Sequence, residues 1–132
     1  MEINAKLLTC EQPSPYTGRV YPKSEIVAAV NNYYKQIDAG IALGELGVQG
    51  TDAINLSLVS HKITALYFND NDLFAKIEFL NTEAGESAKL LMETGTGRLS
   101  PVMYATIEEN GITATNVGII KTAIVPKENN ND

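Results

Sequence analysis

The chain has 132 residues, with 10 Lys and Arg against 16 Asp and Glu, one His, one Cys and no Trp. That length is about one domain, and 44% hydrophobic with 20% charged residues is the make-up of a globule rather than a disordered chain. A net charge of −6 argues against a nucleic-acid reader, which needs clustered Lys and Arg. One cysteine excludes an internal disulfide framework and every multi-Cys metal site, and one histidine excludes a two-His site.

The first ten residues lack the basic flank and long apolar run of a signal peptide, and no apolar stretch approaches a membrane span. The expectation is a soluble protein made in the cytoplasm, with no membrane partner. Residues 2–8 alternate and read as a strand. Cys10 reads as a small buried or half-buried apolar residue. Residues 11–19 hold Pro13, Pro15 and Gly18 and read as a loop.

The spacing predicts a helix over 24–38. Ile26, Val27, Val30, Tyr33, Tyr34 and Ile37 form one apolar stripe, Ser24 is the expected cap, Glu25 suits the first turn, and Gly40 ends it. Residues 41–52, with Gly44, Gly47 and Gly50, read as irregular. They lack the Lys of a phosphate-binding loop and any dinucleotide fingerprint, so no cofactor is expected.

From 54 onward the pattern is β. Strands are predicted at 56–68 and 72–80 around the turn Asn69–Asp72, with Leu73, Ala75, Ile77 and Phe79 on one face of the second. Residues 84–94 read as a short helix, with Glu83 and Glu86 at its N-terminal dipole. A strand at 99–108 contains Pro101, which belongs at an edge or a bulge. Asn110-Gly111 signals a tight hairpin, with Glu108 and Glu109 at its solvated tip. The return strand is 112–125, where Gly118 suggests a bulge or a close backbone approach. The polar end, 127–132, is expected to be a flexible tail on a 1–126 domain. The fold class is α+β: a single domain with a mostly antiparallel sheet, curled toward a barrel and flanked by two helices.

Four segments resemble the prohead maturation proteases of tailed bacteriophages, which share the herpesvirus assemblin-type fold. Thr17-Gly18-Arg19-Val20-Tyr21-Pro22 is similar to that family's N-G-R-x-Y-P, and Ala42-Leu43-Gly44-Glu45-Leu46 to its A-L-G-E-L. Ile54-Asn55-Leu56 with Val59-Ser60-His61-Lys62-Ile63 resembles the stretch that follows. So do Asn71-Asp72-Leu73-Phe74-Ala75-Lys76, Leu80-Asn81-Thr82 and Gly85 further on. The resemblance spans roughly residues 17–125 and implies a small β-barrel flanked by helices.

The family's catalytic pattern does not carry over. Its His follows G-E-L, where this chain has Gly47, Val48 and Gln49, with Val48 at the His position. Its nucleophile lies in a G-V-S-S-R-G-like strand, where this chain has Gly97-Arg98-Leu99-Ser100-Pro101-Val102. A serine without a base is a weak nucleophile, so no catalytic residue is assigned and the protein is expected not to be an enzyme. His61 reads as a structural histidine with one satisfied nitrogen. Glu45 is either a buried carboxylate accepting a backbone N–H or a solvated one.

The resemblance implies a non-catalytic auxiliary or decoration protein on a phage capsid, localised to the virion. Its partners would be the major capsid protein or other head proteins, with self-association on the capsid also possible. The alternatives are an active maturation protease using Ser100 and His61, and an assembly-stage module that binds capsid or scaffold protein. Candidate interface residues are Tyr16, Gly47, Val48 and Gln49, together with the tail. The overall charge suggests a partner surface with a basic rim.

Overall fold

The computed structural model describes residues 2–48, 50 and 52–127. Six strands, β1 (Glu2–Thr9), β2 (Leu43–Leu46), β3 (Val59–Asn69), β4 (Asp72–Phe79), β5 (Gly97–Ile107) and β6 (Ala114–Pro126), form one sheet in the order β1-β4-β3-β2-β6-β5. Every pairing between these strands is antiparallel except β2 with β6. Two helices, α1 (Lys23–Asp38) and α2 (Glu83–Glu93), pack on it. The sheet curls until its end strands β1 and β5 approach each other. The result is a half-barrel of the predicted α+β class.

The elements with strong periodicity fall where expected. On β4, Leu73, Ala75 and Ile77 are fully buried and Phe79 nearly so. They join Ile26, Ala29, Val30 and Tyr33 of α1 in one core. α1 ends as its glycine predicts: Gly40 takes a positive φ, its N–H donates to the Ile37 carbonyl and that of Ile41 to the Gln36 carbonyl, the Schellman arrangement.

Its start differs from expectation. The cap position is Pro22, with no side-chain cap, and Ser24 lies inside the helix. The exposed N–H of Lys23 is satisfied instead by the Glu11 carboxylate at 2.7 Å, so an acid twelve residues upstream stands at the positive end of the helix dipole. α2 is capped by Thr82, whose hydroxyl accepts the N–H of Gly85.

Three further expectations are corrected. The segment 41–52 is not wholly irregular, because Leu43–Leu46 is strand β2 in the middle of the sheet. The predicted strand at 56–68 opens with a short 3-10 turn, Leu56–Leu58, before β3 begins. The tight Asn-Gly hairpin is instead a connection spanning 108–113. Val20 bridges Thr113 in parallel, with Val20 N–H to the Ile112 carbonyl and Ala114 N–H to the Val20 carbonyl. That pairing gives residues 112–114 a second partner beside β5, where Ala114 stays opposite Ile107 and Thr113 accepts the Glu108 N–H.

Pro101 lies on an edge strand, as a missing N–H requires. Gly118 is a close approach, since a Cβ there would overlap the Tyr104 ring. Of the expected tail, Lys127 donates its N–H to the Thr96 carbonyl, and residues 128–132 lie outside the described ones.

Candidate functional site

Two places hold the chemistry-bearing side chains. The first is a sealed polar seam where β3, β2 and β6 run side by side. Gly44 of β2 stands opposite His61 on one side and Thr122 on the other. With no side chain at Gly44, the His61 ring reaches across it, and a Cβ there would overlap the imidazole and the Thr122 hydroxyl. His61 Nε2 lies 2.8 Å from Thr122 Oγ1, and Nδ1 lies 2.8 Å from Ser60 Oγ. A neutral imidazole offers one donor and one acceptor, and a hydroxyl serves as either, so both nitrogens are satisfied in either tautomer. Burial pushes the His61 pKa down from 6.5 to about 4. The ring is therefore neutral near pH 7.

On the opposite face of the same strands, Glu45 and Lys121 form an ion pair at 2.6 Å, with side chains 0% and 1% exposed. Glu45 also accepts the N–H of Asn55 at 2.6 Å, and Lys121 donates to the Ala53 carbonyl at 3.0 Å. Of the two readings open for Glu45, the buried carboxylate is the one observed. Both charges are paired and hydrogen-bonded, which burial in low dielectric requires.

The second place is an open groove of about 670 Å³ between the sheet's two edges, roofed by the loop between β1 and α1. Ser100, Tyr16 and Val48 all line it. The Arg98 guanidinium lies 3.9 Å from the centroid of the Tyr16 ring, a cation–π stack. Val48 is 61% exposed. Gly47, with positive φ, ties the same segment to β6 through its N–H to the Ile124 carbonyl. Gln49 lies outside the described residues. The groove lining contains no imidazole and no carboxylate among the described residues.

The structure does not bring Ser100 and His61 together. The cross-strand row runs His61, Gly44, Thr122, Pro101. Ser100 is one residue off that row, opposite Ala123, and alternation turns it to the other face. Three strand spacings separate the two, roughly 14 Å.

Sequence reasoning found Glu45 and His61 but not Ser60, Lys121 or Thr122 as their partners. A signal existed for Lys121, because a lone lysine inside the apolar run Gly118–Val125 calls for a buried acid. No such signal links Lys6, Arg19, Arg98 and Lys127, which meet only through the fold.

No protein-family profile matches the chain, and no curated protein matches it. Among solved structures it is similar to the capsid assembly protease of bacteriophage T4, gp21. The TM-score is 0.75 at 18% identity, covering 94% of this chain and 80% of that one. At that identity the likeness establishes the architecture, and the chain has a prohead-protease-like fold.

Proposed function

We propose that this chain is a non-catalytic phage head protein, an auxiliary or decoration protein that binds the capsid through a prohead-protease-like fold. The capsid setting is supported by the fold shared with a capsid assembly protease. The observation that carries the non-catalytic part is the separation of the sole imidazole from the groove serine: His61 is sealed between two hydroxyls while half-buried Ser100 lines a groove without carboxylate or imidazole among its described residues. A hydroxyl nucleophile needs an adjacent base. The partners are the major capsid protein or other head proteins, and many symmetric copies would make individually weak contacts collectively strong.

One observation favours a serine peptidase: Ser60 Oγ touches His61 Nδ1 at 2.8 Å, the contact that activates a nucleophile. Ser60 and Thr122 are both 0% exposed, so a peptide bond has no path to either hydroxyl without opening the sheet. The test is incubation of the purified protein with capsid and scaffold precursors and with a serine-directed probe, alongside quantitative mass spectrometry of purified virions. The expected result is no cleavage, no labelling and a fixed ratio to the major capsid protein. Turnover lost in Ser100→Ala or Ser60→Ala overturns the non-catalytic reading, and absence from virions overturns the decoration role.

A further inference from the structure

The groove between β1 and β5 has a composition unlike the rest of the molecule. The chain carries 16 acids and 10 Lys and Arg. Four of those ten bases, Lys6, Arg19, Arg98 and Lys127, line this one cleft, and no described Asp or Glu does. Lys6, Arg19 and Lys127 are exposed, and none of the three is in an ion pair with a described residue. Gathering Lys6, Arg19 and Lys127 at one cleft with no Asp or Glu among its described lining raises the local potential, most where the walls are of low dielectric. The walls are apolar here: Leu8, Pro101 and Met103 line the cleft, with the buried Leu99 beneath them. The overall charge of −6 suggests a basic partner surface, whereas the described lining of this groove carries the opposite sign.

We propose that this groove is the docking site for an extended acidic segment of a partner protein, with Asp or Glu side chains meeting Lys6, Arg19 and Lys127 and aliphatic side chains filling the floor. This deepens the capsid-binding reading and rests on it only for the source of the partner. A volume of about 670 Å³ is of the size that encloses a small ligand or a few side chains. A protein segment suits it better than a nucleic acid. Single strands bind through base stacking on open aromatic faces. The Tyr16 face is already covered by Arg98, while Leu, Met and Pro suit aliphatic side chains.

The test is an NMR titration of the 15N-labelled full chain with a ten-residue peptide alternating Glu with Val and Leu. Parallel titrations use the same peptide with Gln or with Lys in place of Glu, and a ten-residue oligothymidylate. The acidic peptide should shift the amides of the non-proline residues in Ala5–Thr9, Gln12–Arg19 and Gly97–Ser100. It should bind at least tenfold more tightly than the Gln peptide and weaken with salt. The double variant Lys6→Glu, Arg19→Glu changes two exposed side chains and should fold normally by circular dichroism, yet lose at least tenfold in affinity. Equal binding of the Gln peptide, undiminished binding by the folded double variant, tighter binding of the oligothymidylate, or no shift in those three segments at millimolar peptide overturns the proposal. If removing residues 128–132 raises peptide affinity tenfold, the occupant is the chain's own acidic end and the assignment to a partner falls. Peptide binding by a protein absent from virions would sink the capsid reading alone, and a virion protein whose groove ignores the peptide would sink this proposal alone.

Discussion

The seam at the centre of the sheet and the groove at its edges divide between them what a hydrolytic site must combine. The seam holds the imidazole, two hydroxyls in contact with it and a paired carboxylate, all closed to solvent. The groove holds the space, the half-buried Ser100 and the cations, without a carboxylate or imidazole among its described residues. Chemistry-bearing residue types are therefore a poor guide to function until access is known. In the seam each polar atom is spent on a neighbour, and the cluster acts as a clamp joining β2, β3 and β6. In the groove the same kinds of atoms face outward, where binding residues are usually found.

The comparison breaks most sharply at the ion pair. Lys121→Met leaves Glu45 buried without its cation and should cost about 3–5 kcal/mol, the usual penalty for breaking a buried pair from one side. Glu45→Leu with Lys121→Met removes both charges and should cost far less, because no uncompensated charge remains. Urea unfolding of the wild type, both single variants and the double variant measures this directly. If the single variants cost no more than the double, the seam is not a clamp. A groove substitution such as Lys6→Ala should stay within about 0.5 kcal/mol, as exposed positions do.

The next effect is a pH dependence confined to the seam. His61 has its folded pKa lowered to about 4 from 6.5, so between those values the unfolded chain binds the extra proton. Stability from this group is complete above pH 6.5 and falls as pH drops toward 4, by about 3 kcal/mol in all. Carboxylates titrate in the lower part of that window too. The measurement is therefore the difference in unfolding free energy between the wild type and His61→Gln, taken from pH 7 to pH 4. A difference that does not change with pH would mean the imidazole is not held neutral by burial.

How far these two regions were legible in the sequence follows from how each is built. Helix α1 and strand β4 declare themselves locally, because Ile26, Val30 and Tyr33, or Leu73, Ala75 and Ile77, recur at the period of their element. Strand β2 does not. Leu43-Gly44-Glu45-Leu46 is short, holds a glycine and an acid, and sits among further glycines, so local propensity reads it as a loop. It is a strand because β3 and β6 pair with it from both sides, and Gly44 is needed because the His61 ring lies over it. Glu45 and His61 were visible as residues, but their partners were not, since Lys121 and Thr122 meet them from more than fifty positions away. The groove was half legible. Tyr16 and Val48 stood out as irregular and exposed, while its cations come from four separate parts of the chain.

The smallest expected effect sharpens the groove side. From sequence alone, Tyr16→Ala should leave stability untouched while reducing occupancy on capsids. The structure adds a contact: Tyr16 is half-buried and carries the Arg98 guanidinium on its face. Removing the ring takes away a cation–π stack worth about 0.5–1 kcal/mol at an exposed site. Yet Arg98 also belongs to β5, whose ladder with β6 is unaffected by a side chain in the roof loop. The expected loss is thus no more than about 1 kcal/mol, read as a small drop in the urea midpoint with an unchanged slope. Tyr16→Phe should restore it fully, because the stack uses the ring face and no hydrogen bond from the Tyr16 hydroxyl is seen among the described residues. If Tyr16→Phe is as destabilised as Tyr16→Ala, the roof of the groove is held by the hydroxyl and not by the stack. If Tyr16→Ala instead costs as much as breaking the Glu45–Lys121 pair, the groove is part of the fold's clamp, and the division between a sealed seam and an open groove fails.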